Sequence, residues 1–373
     1  MTNLVLASDQ VPGIPHPRET SGLFGQDLAE QAFLNVYASG RLHHGWLLCG
    51  PQGIGKAVLA WRIARFLLAT PPGAADGLFG APTPPQSLDI DPDHPVARRI
   101  LAGAEPGLTS VQRSRNDQGR LRSDIVVDDI RALGRFFGLT SADGGRRVVI
   151  IDSADALNTS AANALLKMLE EPPARTTLLL IAHQPARLLP TIRSRCRVLR
   201  LACLGPGDMT AALAQAGADV PPGAAMDHLA ALAGGSVGMA LRVLALDGLT
   251  LYQDLTSVVG TLPGLARPPV LALAELVAAR TAAPRFELLL TLTETLLARL
   301  ARTGATGIPP VPEASTAMLT RLAPNPVAGR AWADLALRIS ARTRHGQAVN
   351  LDPTALVLDT VFKIRETAQS HAI

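Results

Sequence analysis

Residues 50–57 read GPQGIGKA, set between a short apolar run, HGWLLCG, and a stretch of helical apolar period, KAVLAWRIARFLLA. No other feature limits the fold as tightly. A strand that enters a glycine-rich turn and leaves it as a helix gathers backbone N–H groups and the positive helix end around one point. That is the setting of a phosphate-binding loop, and Gly50, Gly53 and Gly55 supply the freedom it needs. Lys56 completes the G-x-x-x-x-G-K pattern. It is one of only three lysines, with Lys167 and Lys363, in a chain whose cations are otherwise arginine. The next position, where a Ser or Thr hydroxyl would meet magnesium, is Ala57.

Such a loop requires a parallel sheet, and the sequence supplies the other strands. RRVVIIDSADAL (146–157), TTLLLIAHQ (176–184) and CRVLRL (196–201) are apolar on both faces and alternate with helical stretches. The expected class is therefore α/β, a parallel sheet covered on two sides. VDDIRALGRFFGL is an amphipathic helix opened by two acids, and NTSAANALLKMLEEPP is a helix with Thr159 and Ser160 as cap candidates. LTSVQRSRNDQGRLRSDIVV predicts two short strands around an Asn-Asp-Gln-Gly turn. Its Arg113, Arg115, Arg120 and Arg122 either touch a phosphate backbone or blunt a solvated edge. Pro- and Gly-rich residues from Thr70 predict a surface insertion, about 70–123 in all.

Beyond Leu204 the strand signals cease and the pattern is helical, with GTLPGLARPP (260–269) as a candidate linker. Aromatics make up 3% of a chain that is 47% hydrophobic, so cores must be built of Leu, Ala, Val and Ile, which favours helix-rich packing. The expected organisation is a loop-bearing domain over 1–203, a helical segment over 204–259 and a second helical domain over 260–373.

The formal charge of +4 permits a nucleic-acid groove without demanding one. Cys49, Cys196 and Cys203 are too few and too scattered for a disulfide framework or a zinc site. A reducing cytoplasm is expected, with no membrane partner, since no apolar run reaches spanning length and the N-terminus lacks a signal-peptide pattern.

Asp152 ends the VVIID strand, where a metal-site carboxylate belongs. An active ATPase of this type would usually place Glu beside it to polarise water; Ser153 has no basic group at neutral pH. Two parts of a hydrolytic apparatus are thus missing together. His43 and His44 lack a third ligand nearby, and Cys196 reads as a small packed residue. TIRSRCRVLRL carries Arg193, Arg195 and Arg197 between a helix and a strand. Two readings stay open there: a solvated basic turn, or an arginine finger offered to a neighbouring molecule's nucleotide.

HGWLLCGPQGIGKA, RRVVIIDSADALNTSAANALLKMLEEPPARTTLLLIAHQ and LLPTIRSRCRVLRL together resemble the AAA+ clamp-loader subunits of the bacterial replicative polymerase. The resemblance is dense from about Ser21 to Leu201 and thinner beyond. It implies a RecA-like domain, a small helical lid over 204–259 and a helical collar over 260–373. The implied partners are the other loader subunits in a hetero-oligomeric ring, the sliding clamp, and primer–template DNA bound without sequence preference. It also implies that Arg195 acts in trans on ATP held next door. The family's lid arginine, which senses the γ-phosphate in cis, falls near Gly238. Some members carry a four-cysteine zinc module, but residues 70–123 hold no cysteine and no zinc is expected. With Ala57, Ser153 and Gly238, the expectation is a non-hydrolysing ring member whose site at Gly50, Gly53, Gly55, Lys56 and Asp152 binds ATP passively if at all. The alternative is a hydrolysing motor subunit or a DNA-remodelling ATPase.

Overall fold

The protein is described by a computed structural model over residues 15–70, 85–138, 145–220, 222–278, 282–310 and 315–371. The start of the leader and residues 71–84 of the expected insertion lie outside the described residues. The chain forms two compact units: residues 1–217 with 235–238, and residues 218–234 with 239–373.

The first unit is built on five strands, β1 (Gly45–Cys49), β2 (Leu108–Val111), β3 (Arg147–Asp152), β4 (Thr176–Ala182) and β5 (Arg197–Arg200). All pair in parallel, in the order β2-β3-β4-β1-β5. The inner strands are buried on both faces, which is why they read as unbroken apolar runs. Leu47, Cys49, Val149, Ile151, Leu178 and Leu180 face one core. There they meet Ile130 and Leu133 of α4 (Val127–Gly138), Leu165 and Leu169 of α5 (Thr159–Glu170), and Ile192 of α6 (Pro190–Ser194). On the other face α1 (Asp27–Ala38) and α2 (Lys56–Ala69) close the sheet. Phe33 sets its ring 4.9 Å from that of Trp46, and both are fully buried. This is the expected α/β class, a parallel sheet covered on both faces.

Two local expectations need correcting. The cap of α5 is Asn158, whose Oδ1 accepts the Ala161 N–H at 2.8 Å, rather than Thr159 or Ser160. Asn fits better here because its extended backbone leaves the side chain level with the first free N–H groups. In the 108–127 stretch only the first strand forms, and it joins the main sheet as edge strand β2 instead of pairing within a hairpin. The second shrinks to the single antiparallel bridge Arg115–Leu121, because Asn116 Oδ1 takes the Gln118 and Arg120 N–H groups for a turn. Residues expected as an insertion thus supply β2 and α3 (Pro95–Leu101) to the sheet unit.

After α7 (Pro206–Gln215), which belongs to the first unit, the described part of the second unit is helical: α8 (Ala224–Ala233), the later turns of α9 (Val237–Ala245), α10 (Gly248–Gly260), α11 (Arg267–Glu275), α12 (Ala283–Thr306), α13 (Thr316–Leu322), α14 (Pro326–Ala348) and α15 (Pro353–His371). The expected linker at 260–269 is a short connection inside this unit. Leu262 is 1% exposed, and Arg321 donates to the carbonyls of Gly260, at 2.7 Å, and Leu262. The helices α12 and α14 touch backbone to backbone. A Cβ added at Gly304 would lie 2.6 Å from both Cα and N of Gly329. No described helix is by itself long and apolar enough to cross a membrane.

Candidate functional site

A parallel sheet has two rims, one at the C-terminal ends of its strands and one at their N-terminal ends. The predicted phosphate-site residues all come to the first. Gly50 follows Cys49, the last residue of β1, and Asp152 is the last residue of β3. Cys49 pairs with Ala182 and Asp152 with Ile181, so the two strand ends stand nearly level across β4. Two inter-strand spacings separate them by about 10 Å. Asp152 is buried. Beyond it Asp155 braces the rim by accepting the N–H groups of His183 and Gln184 at 3.1 and 2.9 Å. Burial pushes the Asp155 carboxyl up, but those N–H groups and the charge of His183 together hold it below its ordinary value.

The loop itself is formed. Gly53 and Gly55 take φ of +76° and +98°, conformations that L side chains resist, and α2 begins at once with Lys56. The Lys56 ammonium donates to the carbonyls of Gly50, at 2.7 Å, and Pro51, so it ties the loop's own entry together and is only 3% exposed. The backbone cradle fits a phosphate. Ala57 leaves the metal side of the site without its hydroxyl. Among the described residues no three His, Cys, Asp or Glu side chains cluster as metal ligands.

Gly238 lies on this loop. Its N–H donates to the Gly53 carbonyl at 3.0 Å, and Ser236 Oγ donates to the Gln52 carbonyl at 2.8 Å. A Cβ at Gly238 would stand 3.0 Å from Gly53 Cα. A side chain at 238 would press on the loop backbone, so the glycine there goes with the close approach of this segment to the loop. Gly53→Ala is expected to cost about 2–4 kcal/mol, combining a positive-φ penalty with overpacking against Ser236 Oγ, 2.4 Å from the added Cβ. Urea unfolding of the full chain measures it, and an unchanged midpoint would mean that residues 236–238 do not rest there.

Arg195 sits at the opposite rim. Its carbonyl oxygen lies 3.1 Å from the Cβ position of Gly45, the first residue of β1, whereas the loop begins after the last. Five residues of strand put about 16 Å between the two levels, further than an arginine side chain reaches. The guanidinium donates from Nη1 to the Thr191 carbonyl at 3.2 Å and pairs through Nη2 with Glu170 Oε1 at 2.9 Å. Arg197 instead stacks over the Trp46 ring at 5.7 Å, and Arg193 is exposed. Cys196 is largely buried, which pushes its thiol up to about 12 and keeps it protonated.

Three residues of this rim carry no signal in the sequence. Gly45 is needed because Leu169 Cδ2 and the Arg195 carbonyl lie 3.0 and 3.1 Å from its Cβ position. His44 donates from Nε2 to the Leu169 carbonyl at 3.0 Å, and Glu170 holds the arginine. Their partners are remote in the chain, so no local period reveals them.

Burial, then the neighbouring His43, lowers the pKa of His44 against the opposing Leu169 bond; burial and Arg18 lower that of His16, whose Nδ1 accepts the Arg18 N–H at 3.1 Å. The unfolded chain therefore binds more protons as pH falls below about 6.5, and the folded chain resists them. Stability that is full above that value should decline between pH 6.5 and 5. Denaturant midpoints at pH 7.5 and 5.5 test this, with His16→Gln expected to flatten the slope.

Residues 25–204 match the family model described as DNA polymerase III, delta subunit. Over 202 residues the chain is 41% identical to DNA polymerase III subunit delta' of Pseudomonas aeruginosa, covering 54% of this chain and 55% of that one. It is 32% identical over 167 residues to the subunit of the same name from Escherichia coli, covering 44% of each. A gamma/tau subunit of Mycobacterium tuberculosis is 29% identical over 206 residues, 53% of this chain and 31% of that one. The chain spans about half the length of the delta-prime relatives it matches. The stretch that holds the phosphate loop, Asp152 and the Arg195 turn is thus similar to the DNA polymerase III delta-prime subunits.

Proposed function

We propose that this chain is a cytoplasmic clamp-loader subunit of DNA polymerase III that helps load the sliding clamp onto primed DNA. It takes its place in a hetero-oligomeric ring with gamma/tau-type subunits, does not split ATP itself, and presents Arg195 to ATP held by the adjoining subunit. The supporting observation is the separation of functions between the two rims. On one, Ala57, Ser153 and Gly238 withhold three groups that hydrolysis would use. On the other, a half-exposed guanidinium stands where it cannot serve its own loop. An arginine beside a foreign γ-phosphate neutralises charge that builds up as the phosphoryl group transfers.

Gly50, Gly53, Gly55, Lys56 and Asp152 are proposed to hold ATP passively if it binds. DNA is proposed to be held through its phosphates, with affinity that falls as salt rises. The division into a sheet domain, a lid over 204–259 and a collar over 260–373 belongs to the same proposal. A second reading, a hydrolysing motor, draws on Lys56, whose ties to the Gly50 and Pro51 carbonyls are intact. Turnover by the isolated chain separates the two. The passive reading expects none, and ATP hydrolysis abolished by Lys56→Ala would replace it with the motor.

A further inference from the structure

Resting on the proposed role of Arg195, we infer that Glu170 is its positioning residue: the last residue of α5 holds the guanidinium at the rim while leaving donors for a phosphate on the adjoining subunit. The contacts are Glu170 Oε1 to Nη2 at 2.9 Å and the Thr191 carbonyl to Nη1 at 3.2 Å. A guanidinium has five N–H donors in a planar fork, and these contacts engage two. The side chains of Arg195 and Glu170 are 38% and 49% exposed, so the remaining donors have access to an incoming anion without the pair having to break.

The anchor is itself fixed. His44 donates to the Leu169 carbonyl at 3.0 Å, one residue from Glu170, and Gly45 lets Leu169 and the Arg195 backbone close on the start of β1. Three chain segments thus meet around Arg195: Glu170 and Thr191 hold its guanidinium, and the start of β1 packs against its backbone carbonyl. Of the three arginines in the turn, Arg195 alone pairs with a carboxylate among the described residues. A long side chain already held loses less freedom when it meets its target, so Glu170 is expected to favour the transition state on the adjoining subunit.

The carboxylate contributes its hydrogen bond, whereas its charge opposes the phosphate. Glu170→Ala and Glu170→Gln therefore separate the two effects. With the full chain assembled with its gamma/tau-type neighbours, Glu170→Ala should lower kcat for ATP about two- to fivefold, the range of an exposed pair, with KM unchanged. Glu170→Gln keeps an acceptor and should restore kcat to the unsubstituted level or above. In an Arg195→Ala background, Glu170→Ala should add nothing.

Full activity in Glu170→Ala, where Arg195→Ala has collapsed it, would leave Glu170 an ordinary surface ion pair and overturn the inference. So would an equal loss in both backgrounds, which would mark an effect on the fold. Unchanged turnover in Arg195→Ala would remove the role of Arg195 in trans, and this one with it. Glu170 is exposed, so thermal unfolding of the isolated variant should match the parent.

Discussion

A loader ring assembled with Arg195→Ala in this subunit is expected to lose ATP turnover at the adjoining site by roughly 10³-fold or more. The magnitude is that of an arginine finger, about 4 kcal/mol or more of barrier. It follows from charge in the proposed role: the guanidinium would meet a γ-phosphoryl group whose oxygens gain charge in the transition state. Arg195→Lys retains the cation but loses the planar fork and should recover only part of the rate. Total turnover of a ring with several sites falls by the share of one site, so single-turnover hydrolysis is the sharper measurement. The isolated chain should be as stable as before, because the pair it loses is half-exposed. A ring that hydrolyses normally with this substitution would end the proposed role.

In the second unit the largest effect is expected from Gly304→Leu. At Gly304 the helices α12 and α14 approach so closely that an added Cβ meets Gly329 Cα and N at 2.6 Å and the Asn325 carbonyl at 2.8 Å. Backbone atoms cannot rotate away, so the helices must separate, opening the core around them. Gly304→Ala already costs about 1–3 kcal/mol by overpacking, partly offset by about 1 kcal/mol of helix propensity. Leucine cannot be housed at all, and a loss of about 4 kcal/mol or more is expected, lowering Tm by roughly 10 °C. Gly329→Ala meets the Ala301 carbonyl and the Ala305 nitrogen at 2.8 Å, so it perturbs the same contact and should combine non-additively with Gly304→Ala. Calorimetry of the two single variants and the double variant checks this. Unaltered transitions would mean that the helices do not cross at these glycines.

How much was legible before the fold depended on the range of the interaction. Strands buried on both faces announce themselves as apolar runs, and β1, β3 and β4 are where those runs lie. The strand–loop–helix at Gly50–Lys56 was equally plain, since its backbone conformation is written in three glycines and a lysine. The sequence points to Thr159 and Ser160 as caps where Asn158 serves, because residues in adjacent positions differ only in which one leaves the helix. From the sequence β2 is half of a hairpin, since its neighbours suggest a turn, yet its partner β3 lies beyond α4 in the chain.

The fold class, the phosphate loop and the absence of the hydroxyl and the acid at Ala57 and Ser153 follow from the order of residues, because each depends on residues within a few positions of one another. That Glu170 grips Arg195, that Gly238 rests on Gly53 and that Gly304 meets Gly329 emerges only in the folded molecule. A loop's conformation is set by its own residues. A glycine demanded by a remote backbone, or a carboxylate paired across the fold, is set by a neighbour that only folding brings near.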